Sequence, residues 1–122
     1  MWTWIIAIVV VAIALCTWMA MKPPPNVGDR TKLERSFSQA ETQLINTVTI
    51  SPDELSKATC DEDAKCWIAV DGVVYDMGVF PKWARGVHHG VKAGADGTEK
   101  FVKSGHAVAI LQKMPVVGAY KP

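Results

Sequence analysis

Excess charge of either sign is missing from this chain, whose 13 basic and 12 acidic side chains leave a net charge of +1 over 122 residues. A nucleic-acid-binding protein usually carries a clear basic excess, so the composition gives no reason to expect a nucleic-acid partner. Internal repeats and low-complexity tracts are absent as well, and no pairing of a nucleophile with a general base indicates a hydrolase. A chain of this length has room for one small domain and little else.

Charged residues are also absent from the run between Trp2 and Met21, which spans 20 positions and is rich in Ile and Val. As a helix this run is about 30 Å long, which matches the hydrocarbon thickness of a bilayer. Tryptophans lie near both of its ends, where indole side chains favour the membrane interface. The basic n-region and the A-x-A site of a cleaved signal peptide, the alternative interpretation, are missing. We therefore expect residues 1–22 to be a retained transmembrane anchor.

Three consecutive prolines follow the apolar run and end it, because proline cannot continue a helix. Beyond this stiff spacer, apolar residues recur at intervals of 4, 3 and 4, as one face of a helix requires. These residues are Leu33, Phe37, Ala40 and Leu44. We predict a proline spacer and an amphipathic helix over residues 23–46, with the helix running from Arg30 to Ile45.

Residues 47–122 carry the patterns of a mixed α+β domain. β-Branched residues alternate over 47–50 and predict a strand. Ser51, Pro52 and Glu54 form a capping box with proline at the first helical position, which predicts a short helix ending near position 58. Two apolar runs, 66–70 and 73–75, flank the dipeptide Asp71-Gly72, and Asp-Gly between strands is a strong hairpin signal.

The rest of the domain is predicted to be mainly helical. A broken helical pattern follows Pro81, and Asp96 and Glu99 have the spacing of a second capping box. His106 is expected to open a helix over 107–114, which Pro115 ends. Residues 116–120 are expected to return as a final strand. The helices would then group around a cleft.

Histidine is scarce, with three residues in the chain, and all three fall within 19 positions of one another. They lie in GVHHGVKAGADGTEKFVKSGH, the glycine-rich segment from Gly86 to His106. Two neutral imidazoles brought face to face can hold one metal ion between them. The run AGADGTEKF followed by SGH resembles the cytochrome b5 family, whose members carry A-G-x-D-[AG]-T-E-x-F ahead of a ligand histidine. CWIAVDGVVYD resembles the hairpin that precedes the motif in that family, and the resemblance covers about the last 75 residues.

The resemblance implies a cytochrome b5-like fold with noncovalent haem b, since the chain has no C-x-x-C-H attachment motif. It makes His106 one axial ligand. The family's other ligand stands in an H-P-G-G motif, which appears here as HHGV and lacks the proline and the second glycine. Alignment of the motif favours His88 as the second ligand, with His89 as the alternative. The segment between the two motifs is about six residues shorter than in the animal-type domain, so one helix of the pocket is expected to be cut short.

Ligation by two histidines leaves iron no open position, which favours one-electron transfer over oxygen chemistry. We therefore expect an electron-transfer protein rather than an enzyme. The candidates for the wall of the haem site are Tyr75, Phe80, Phe101 and Leu111. Two alternatives remain open: a binding module of the family's steroid-receptor branch, which typically lacks the paired histidines, and a structural subunit that has lost haem.

The expected partners are the membrane and membrane-bound or soluble redox proteins, with a larger membrane redox or photosynthetic complex as one setting. Signals for the side of the membrane disagree. Four basic residues between positions 22 and 35 favour a cytoplasmic domain by the positive-inside rule. Cys60 and Cys66 flank a loop short enough to be closed by a disulfide, and disulfides persist mainly outside the cytosol. Bacterial proteins that resemble this family and carry an apolar N-terminal segment are often exported, so we expect a single-pass protein with an extracytoplasmic haem domain.

Overall fold

The first element in the computed structural model is a long apolar helix, α1 (Trp2–Ala20). The structure describes residues 2–21, 24–61, 65–83, 86–88 and 90–122. No residue of α1 is buried against the rest of the described chain. Its length and composition suffice to cross a bilayer, and a signal sequence near an N-terminus has the same properties. The predicted apolar helix is confirmed, and its role as a retained anchor stays a prediction.

The predicted single helix from Arg30 to Ile45 is wrong. Two N-caps start two separate elements where the apolar periodicity suggests one. The side chain of Asp29 accepts a hydrogen bond from the Thr31 backbone N–H and caps a short 3-10 turn, Arg30–Leu33. Ser38 then begins helix α2 (Gln39–Thr47) with a complete capping box, in which its hydroxyl accepts from the backbone N–H of Glu41 and the Glu41 carboxylate accepts from the backbone N–H of Ser38.

The break reverses which side chains of this segment are buried. Leu33 packs into the core as predicted, but Phe37 and Leu44 remain more than one third exposed. Lys32 and Arg35, which the helical pattern places on the polar face, retain only 4% and 7% of their accessible surface. We call residues 29–36 the strap, because they lie across the domain rather than forming one face of a helix.

A four-stranded mixed sheet forms the centre of the domain. The strands of the domain are β1 (Thr49–Ile50), β2 (Trp67–Val70), β3 (Val73–Asp76), β4 (Val87–His88), β5 (Val91–Lys92) and β6 (Val116–Tyr120). The four strands of the central sheet are ordered β1-β6-β3-β2, with β1 parallel to β6 and the other neighbours antiparallel. The remaining two, β4 and β5, form a separate two-stranded hairpin. The other helices are α3 (Pro52–Ser56), α4 (Thr98–Lys103) and α5 (Val108–Gln112).

Both faces of the sheet are covered, which β2 shows most clearly because all of its residues are buried. Successive side chains of a strand point to opposite faces. Trp67 and Ala69 accordingly pack in one core cluster, with Leu55 of α3. Ile68 and Val70 pack in the other cluster, on the side where α4 and α5 lie. The second face is the one that carries the candidate site.

Several local predictions are confirmed. The hydroxyl of Ser51 accepts from the Glu54 backbone N–H and starts α3. The β2–β3 hairpin turns at Asp71 and Gly72, which both have positive φ as a primed turn requires. The structure also joins Cys60 and Cys66 in a disulfide, a pairing that the sequence leaves open.

Two details of the predicted helices are wrong. The N-cap of α4 is Gly97, without a side-chain cap, because the Asp96 carboxylate instead accepts hydrogen bonds from the backbone N–H and hydroxyl of Thr98. The predicted capping box of Asp96 with Glu99 is therefore absent. Helix α5 is shorter than predicted and begins after His106, which lies in the loop before its N-cap.

Candidate functional site

His88 lies on the hairpin of β4 and β5, which the sequence analysis interprets as part of a broken helical region. Gly90, in the turn of this hairpin, has a φ of 78°. The signal that could have indicated the hairpin is the pair of valines on either side of a short turn containing glycine. His89, the alternative second ligand, lies outside the described residues.

Gly86 fixes the strand that carries His88. Its backbone N–H donates to the Trp83 carbonyl, and its own carbonyl accepts from the Ala93 N–H, at 2.8 Å in each case. Its φ is 75°, and a Cβ at this position would overlap the backbone carbonyl oxygen of Thr59. Only glycine allows this approach, so the base of the hairpin is held against the segment before the disulfide loop.

His106 is held in the loop between α4 and α5. Ser104, at the end of α4, donates its hydroxyl to the Phe101 carbonyl at 2.7 Å. The same hydroxyl oxygen accepts from the backbone N–H of His106 at 3.3 Å. The loop is thus tied to the end of the preceding helix immediately before the histidine.

The structure brings His88 and His106 face to face. Their ring centroids are 6.4 Å apart and their planes differ by 20°. A bond between a metal ion and an imidazole nitrogen is about 2 Å long, and the ring centre lies about 1 Å farther out, so rings on opposite sides of one ion have centroids about 6 Å apart. The observed spacing therefore fits a single metal ion between the two rings. Within the part of the chain that the structure describes, no cluster of three or more His, Cys, Asp or Glu side chains could hold a metal.

The two histidines open into a cavity of about 780 Å³, which is within the usual size of a small-molecule or cofactor site. Trp83 lies beside His88 with a ring-centroid distance of 5.3 Å, which supports the imidazole from one side. Most of the wall is apolar, as a site that shields a large flat cofactor from water requires. Its apolar and aromatic residues are Ile68, Val70, Met77, Phe80, Trp83, Val91, Phe101, Ile110 and Met114.

The predicted wall residues divide into two groups. Phe80 and Phe101 line the cavity with the two histidines. Tyr75 and Leu111 do not line it; both are 1% exposed in the core behind it. Burial raises the pKa of Tyr75 to about 12, with a smaller opposing effect from Arg35. Ile68, Val70, Met77, Val91 and Met114 also line the cavity and were not predicted to do so. The alternation of β2 is the signal that could have indicated the first two.

Arg35 of the strap packs against both Tyr75 and Leu111. Its guanidinium carbon lies 5.8 Å from the centre of the Tyr75 ring, and its Nη1 donates to the Leu111 carbonyl at 3.0 Å. Its Nη2 pairs with the Glu41 carboxylate at 2.8 Å. The strap, all of whose residues the structure describes, therefore contacts the core behind the cavity without lining the cavity itself.

Lys32 is the second buried cation of the strap and lies next to the His106 loop. Its Nζ donates to the backbone carbonyls of Ser104 and His106, at 2.8 and 3.0 Å. It also lies 4.7 Å from the centre of the Phe101 ring. Burial lowers the pKa of Lys32 from its ordinary value of 10.5, and the charge of Asp29 partly opposes that shift. No motif in the sequence marks this residue.

The mouth of the cavity is rich in positive charge. Exposed lysines line it at positions 82, 100, 103 and 113. The acidic residue in the lining is Glu99, and its carboxylate pairs with Arg30 of the strap at 3.0 Å. The rim therefore presents a net positive surface around the opening.

The comparisons with known proteins agree with this geometry. Residues 51–121 match the model of the family described as cytochrome b5-like haem/steroid-binding domains. A cytochrome b5 domain protein of Hadesarchaea is similar in structure, with a TM-score of 0.56 and 34% identity over 62% of this chain and 100% of that chain. A cytochrome b5 domain protein of Methanococcoides burtonii has a TM-score of 0.57 and 32% identity over 62% of this chain and 99% of that chain. No curated protein matches the chain.

Domains of this kind usually bind haem and typically carry electrons. The α+β domain, with its apolar N-terminal helix, has the expected fold, and its matched region includes both described histidines. The chain belongs to the cytochrome b5-like haem/steroid-binding domain family.

Proposed function

We propose that the chain is a membrane-anchored b-type cytochrome that carries single electrons, with haem b held noncovalently between His88 and His106. The spacing of 6.4 Å between the two imidazole centroids is the observation that carries this proposal. The apolar wall around the rings supports a flat, hydrophobic cofactor rather than a hydrated ion.

When bound, haem iron supplies one-electron exchange between its ferric and ferrous states. His88 and His106 would hold the iron, one imidazole nitrogen each, which would leave no coordination site for oxygen. Trp83 keeps the His88 ring in place, and Ser104 keeps the His106 loop in place. Because both histidines are restrained, little reorganisation of the protein would accompany electron transfer.

An anionic partner fits the lysine rim. Four exposed lysines surround the opening, and the carboxylate among them is already paired. Such a rim attracts an acidic surface of a redox protein over a range of about 10 Å at moderate salt. Electron exchange with an acidic partner should therefore slow as salt is raised. A rate that does not depend on salt would argue against this choice of partner.

The anchor would hold the domain close to the bilayer. Gly28 is bonded to the domain, since its N–H donates to the Val102 carbonyl at 2.8 Å. Seven residues after Met21 reach Gly28, and an extended chain of that length spans at most about 25 Å. The partner is then a membrane protein or one that reaches the membrane surface. The Cys60–Cys66 disulfide favours the extracytoplasmic side.

The response of the reduced, haem-loaded protein to carbon monoxide tests the proposed ligation. Six protein and porphyrin ligands leave no site for the gas, so the visible spectrum of the ferrous protein should not change when carbon monoxide is added. A spectral shift would show an open position and contradict ligation by both histidines. A folded protein that stays colourless with excess haem would instead support the structural-subunit alternative.

A further inference from the structure

The strap contributes a buried lysine to the loop that carries His106. Lys32 retains 4% of its surface, although lysine is almost never fully buried without a partner. Its ammonium group faces the carbonyls of Ser104 and His106 and the ring of Phe101. Desolvation of a cation is unfavourable, so this position is maintained by those specific contacts.

The same segment is fastened to both helices that flank His106. Gly28, just before the strap, donates its N–H to the Val102 carbonyl in α4. Arg35 donates to the Leu111 carbonyl in α5, and the Ser36 N–H donates to the Gln112 side chain at 3.0 Å. The strap lies entirely outside residues 51–121, the part of the chain that matches the family model. These contacts therefore involve a segment that the family match does not include.

We propose that Lys32 is a positioning residue for His106 and a fixed positive charge that raises the reduction potential of the site, an inference that rests on the proposed function. One of the two carbonyls it binds, that of Ser104, is at the C-cap of α4, where a cation is favoured by the helix dipole, and the other, that of His106, is in the loop between α4 and α5. By holding both carbonyls, the ammonium group restrains the backbone on each side of Gly105.

The effect on the potential follows from the sign of the charge. Reduction adds one negative charge to the iron site, and a nearby buried cation stabilises the reduced state relative to the oxidised state. Screening by water and salt is weak for a buried group. Arg35 is also buried, but it and Glu41 form an ion pair at 2.8 Å, so that removal of both charges leaves the net charge of the chain unchanged. Lys32 has no such ion pair among the described residues, although the charge of Asp29 acts on it, and it is the buried cation of the strap that touches the His106 loop.

The test uses the full haem-loaded chain and four variants. Lys32→Met removes the charge and the donors, Lys32→Gln removes the charge and keeps N–H donors, and Lys32→Arg keeps both. Arg35→Met combined with Glu41→Gln is the matched control, because it loosens the same strap without changing the net charge and removes no contact with a carbonyl of the His106 loop. Reduction potential, rate of haem loss to an acceptor protein and the unfolding of the apoprotein are measured for each.

We expect Lys32→Met and Lys32→Gln to shift the potential to more negative values, with Lys32→Arg close to wild type. Haem loss should be about tenfold to a hundredfold faster in Lys32→Met, the usual range for outer-shell partners of a metal ligand. In Lys32→Arg the rate of haem loss should be slower than in Lys32→Met and close to that of the wild type. The visible spectrum should keep the form of the wild type in all variants, which separates this proposal from the ligation itself.

Two results would overturn the inference. One is an unchanged potential in both charge-removing variants of Lys32. The other is an equal shift in the combined Arg35→Met and Glu41→Gln variant, because that would assign the effect to the stability of the strap. If Lys32→Met does not fold, Lys32→Gln and Lys32→Arg still decide the question. A wild-type chain that binds no haem would refute the proposed function, whatever the variants do.

Discussion

Gly86 and Gly90 have almost the same backbone conformation, with φ of 75° and 78°, yet their surroundings differ. A Cβ on Gly90 would meet nothing within 4 Å, whereas one on Gly86 would overlap the Thr59 carbonyl. Gly90 is needed for its backbone conformation alone, whereas Gly86 is needed for its conformation and for the close contact with Thr59. Because both glycines flank the strand that carries His88, substitutions at the two positions distinguish the effect of conformation from the effect of contact.

Gly86→Ala should therefore be much more damaging than Gly90→Ala. The left-handed conformation alone costs an alanine about 1–2 kcal/mol, which applies to both variants. Gly86→Ala should cost at least about 1 kcal/mol more, because the hairpin must move away from Thr59. Urea unfolding and the rate of haem loss measure the two effects. Equal behaviour of the two variants would show that the contact with Thr59 does not position His88.

Tyr75 provides a test of the core behind the cavity. Burial raises its pKa to about 12, from a value of 10.0 in water. The chain has two tyrosines, so phenolate absorbance in Tyr120→Phe reports Tyr75 alone. We expect it to titrate near pH 12 in the folded apoprotein. Titration near pH 10, with the fold intact, would show that the ring is open to water.

The same shift has a consequence for stability. The pKa of Tyr75 is higher in the folded state than in the unfolded state. The contribution of Tyr75 to the free energy of unfolding is therefore fully present below pH 10 and is lost as the pH rises from 10 to about 12. Tyr75→Phe should remove that part of the alkaline loss, while Tyr120→Phe should retain it. Urea midpoints across this pH range measure the difference.

At the level of single residues, the sequence identified the two histidines of the site more accurately than the residues that line its cavity. The motif placed His106, and motif register favoured His88, which the structure brings to 6.4 Å from it. Tyr75 and Leu111 were plausible wall residues because both are apolar enough and lie on the correct side of the sheet. Arg35 packs against both, and a contact between residues 35 and 111 has no local signature in the sequence.

At the scale of elements, local polar signals were more reliable than apolar periodicity. The Asp-Gly hairpin and the Ser51 N-cap are correct, because each depends on a few adjacent residues, whereas the capping box of Asp96 with Glu99 is the local polar signal that failed. The helix over Arg30 to Ile45 is wrong, because the Ser38 capping box interrupts an accidental apolar repeat. The β4–β5 hairpin has two residues in each strand, which is too short for a periodic pattern to develop.

The capping box of α2 predicts an acid-sensitive contribution to stability. Hydrogen bonds from Ser38, chiefly from its backbone N–H, and contacts with Arg35 hold the pKa of Glu41 below its ordinary value of 4.5. The contribution is therefore present above pH 4.5 and is lost as the pH falls through the lower folded-state pKa. Glu41→Gln should be less stable than wild type at pH 7, by about 1 kcal/mol or less.

The gap between Glu41→Gln and wild type should close as the pH is lowered below 4.5. Urea midpoints at several pH values measure it, with Glu34→Gln in the same segment but outside the capping box as the control. A gap that stays constant with pH would show that the carboxylate charge of Glu41 is not involved.

At the scale of the whole molecule, the strap makes the folding unit larger than the family match. Leu33 of the strap belongs to the core cluster that includes Tyr75 and Leu111. A chain of residues 24–122 should fold without α1. A chain of residues 47–122 should have a lower melting temperature, by about 4 °C or more, since burial of one leucine alone contributes about 2 kcal/mol. Equal melting temperatures would show that the strap is only a linker.

The Cys60–Cys66 disulfide provides a test of the side of the membrane on which the domain lies. If the domain is extracytoplasmic, as proposed, Cys60 and Cys66 should react in intact cells with a membrane-impermeant thiol reagent only after mild reduction, because the pair is oxidised. Cys16 lies within α1 and provides no site for this reagent if the helix spans the bilayer. Labelling that requires both reductant and cell lysis would place the domain in the cytoplasm, in agreement with the positive-inside rule.

The central claim is that His88 and His106 hold one haem between them, and the visible spectrum of the reduced protein tests it most directly. The full chain, loaded with haem, should show sharp α and β bands. His106→Ala and His88→Ala should each lose them, while His89→Ala should retain them. Bands that survive in His88→Ala and vanish in His89→Ala would contradict the assignment of the second ligand. A folded wild-type protein without bands would contradict the account as a whole.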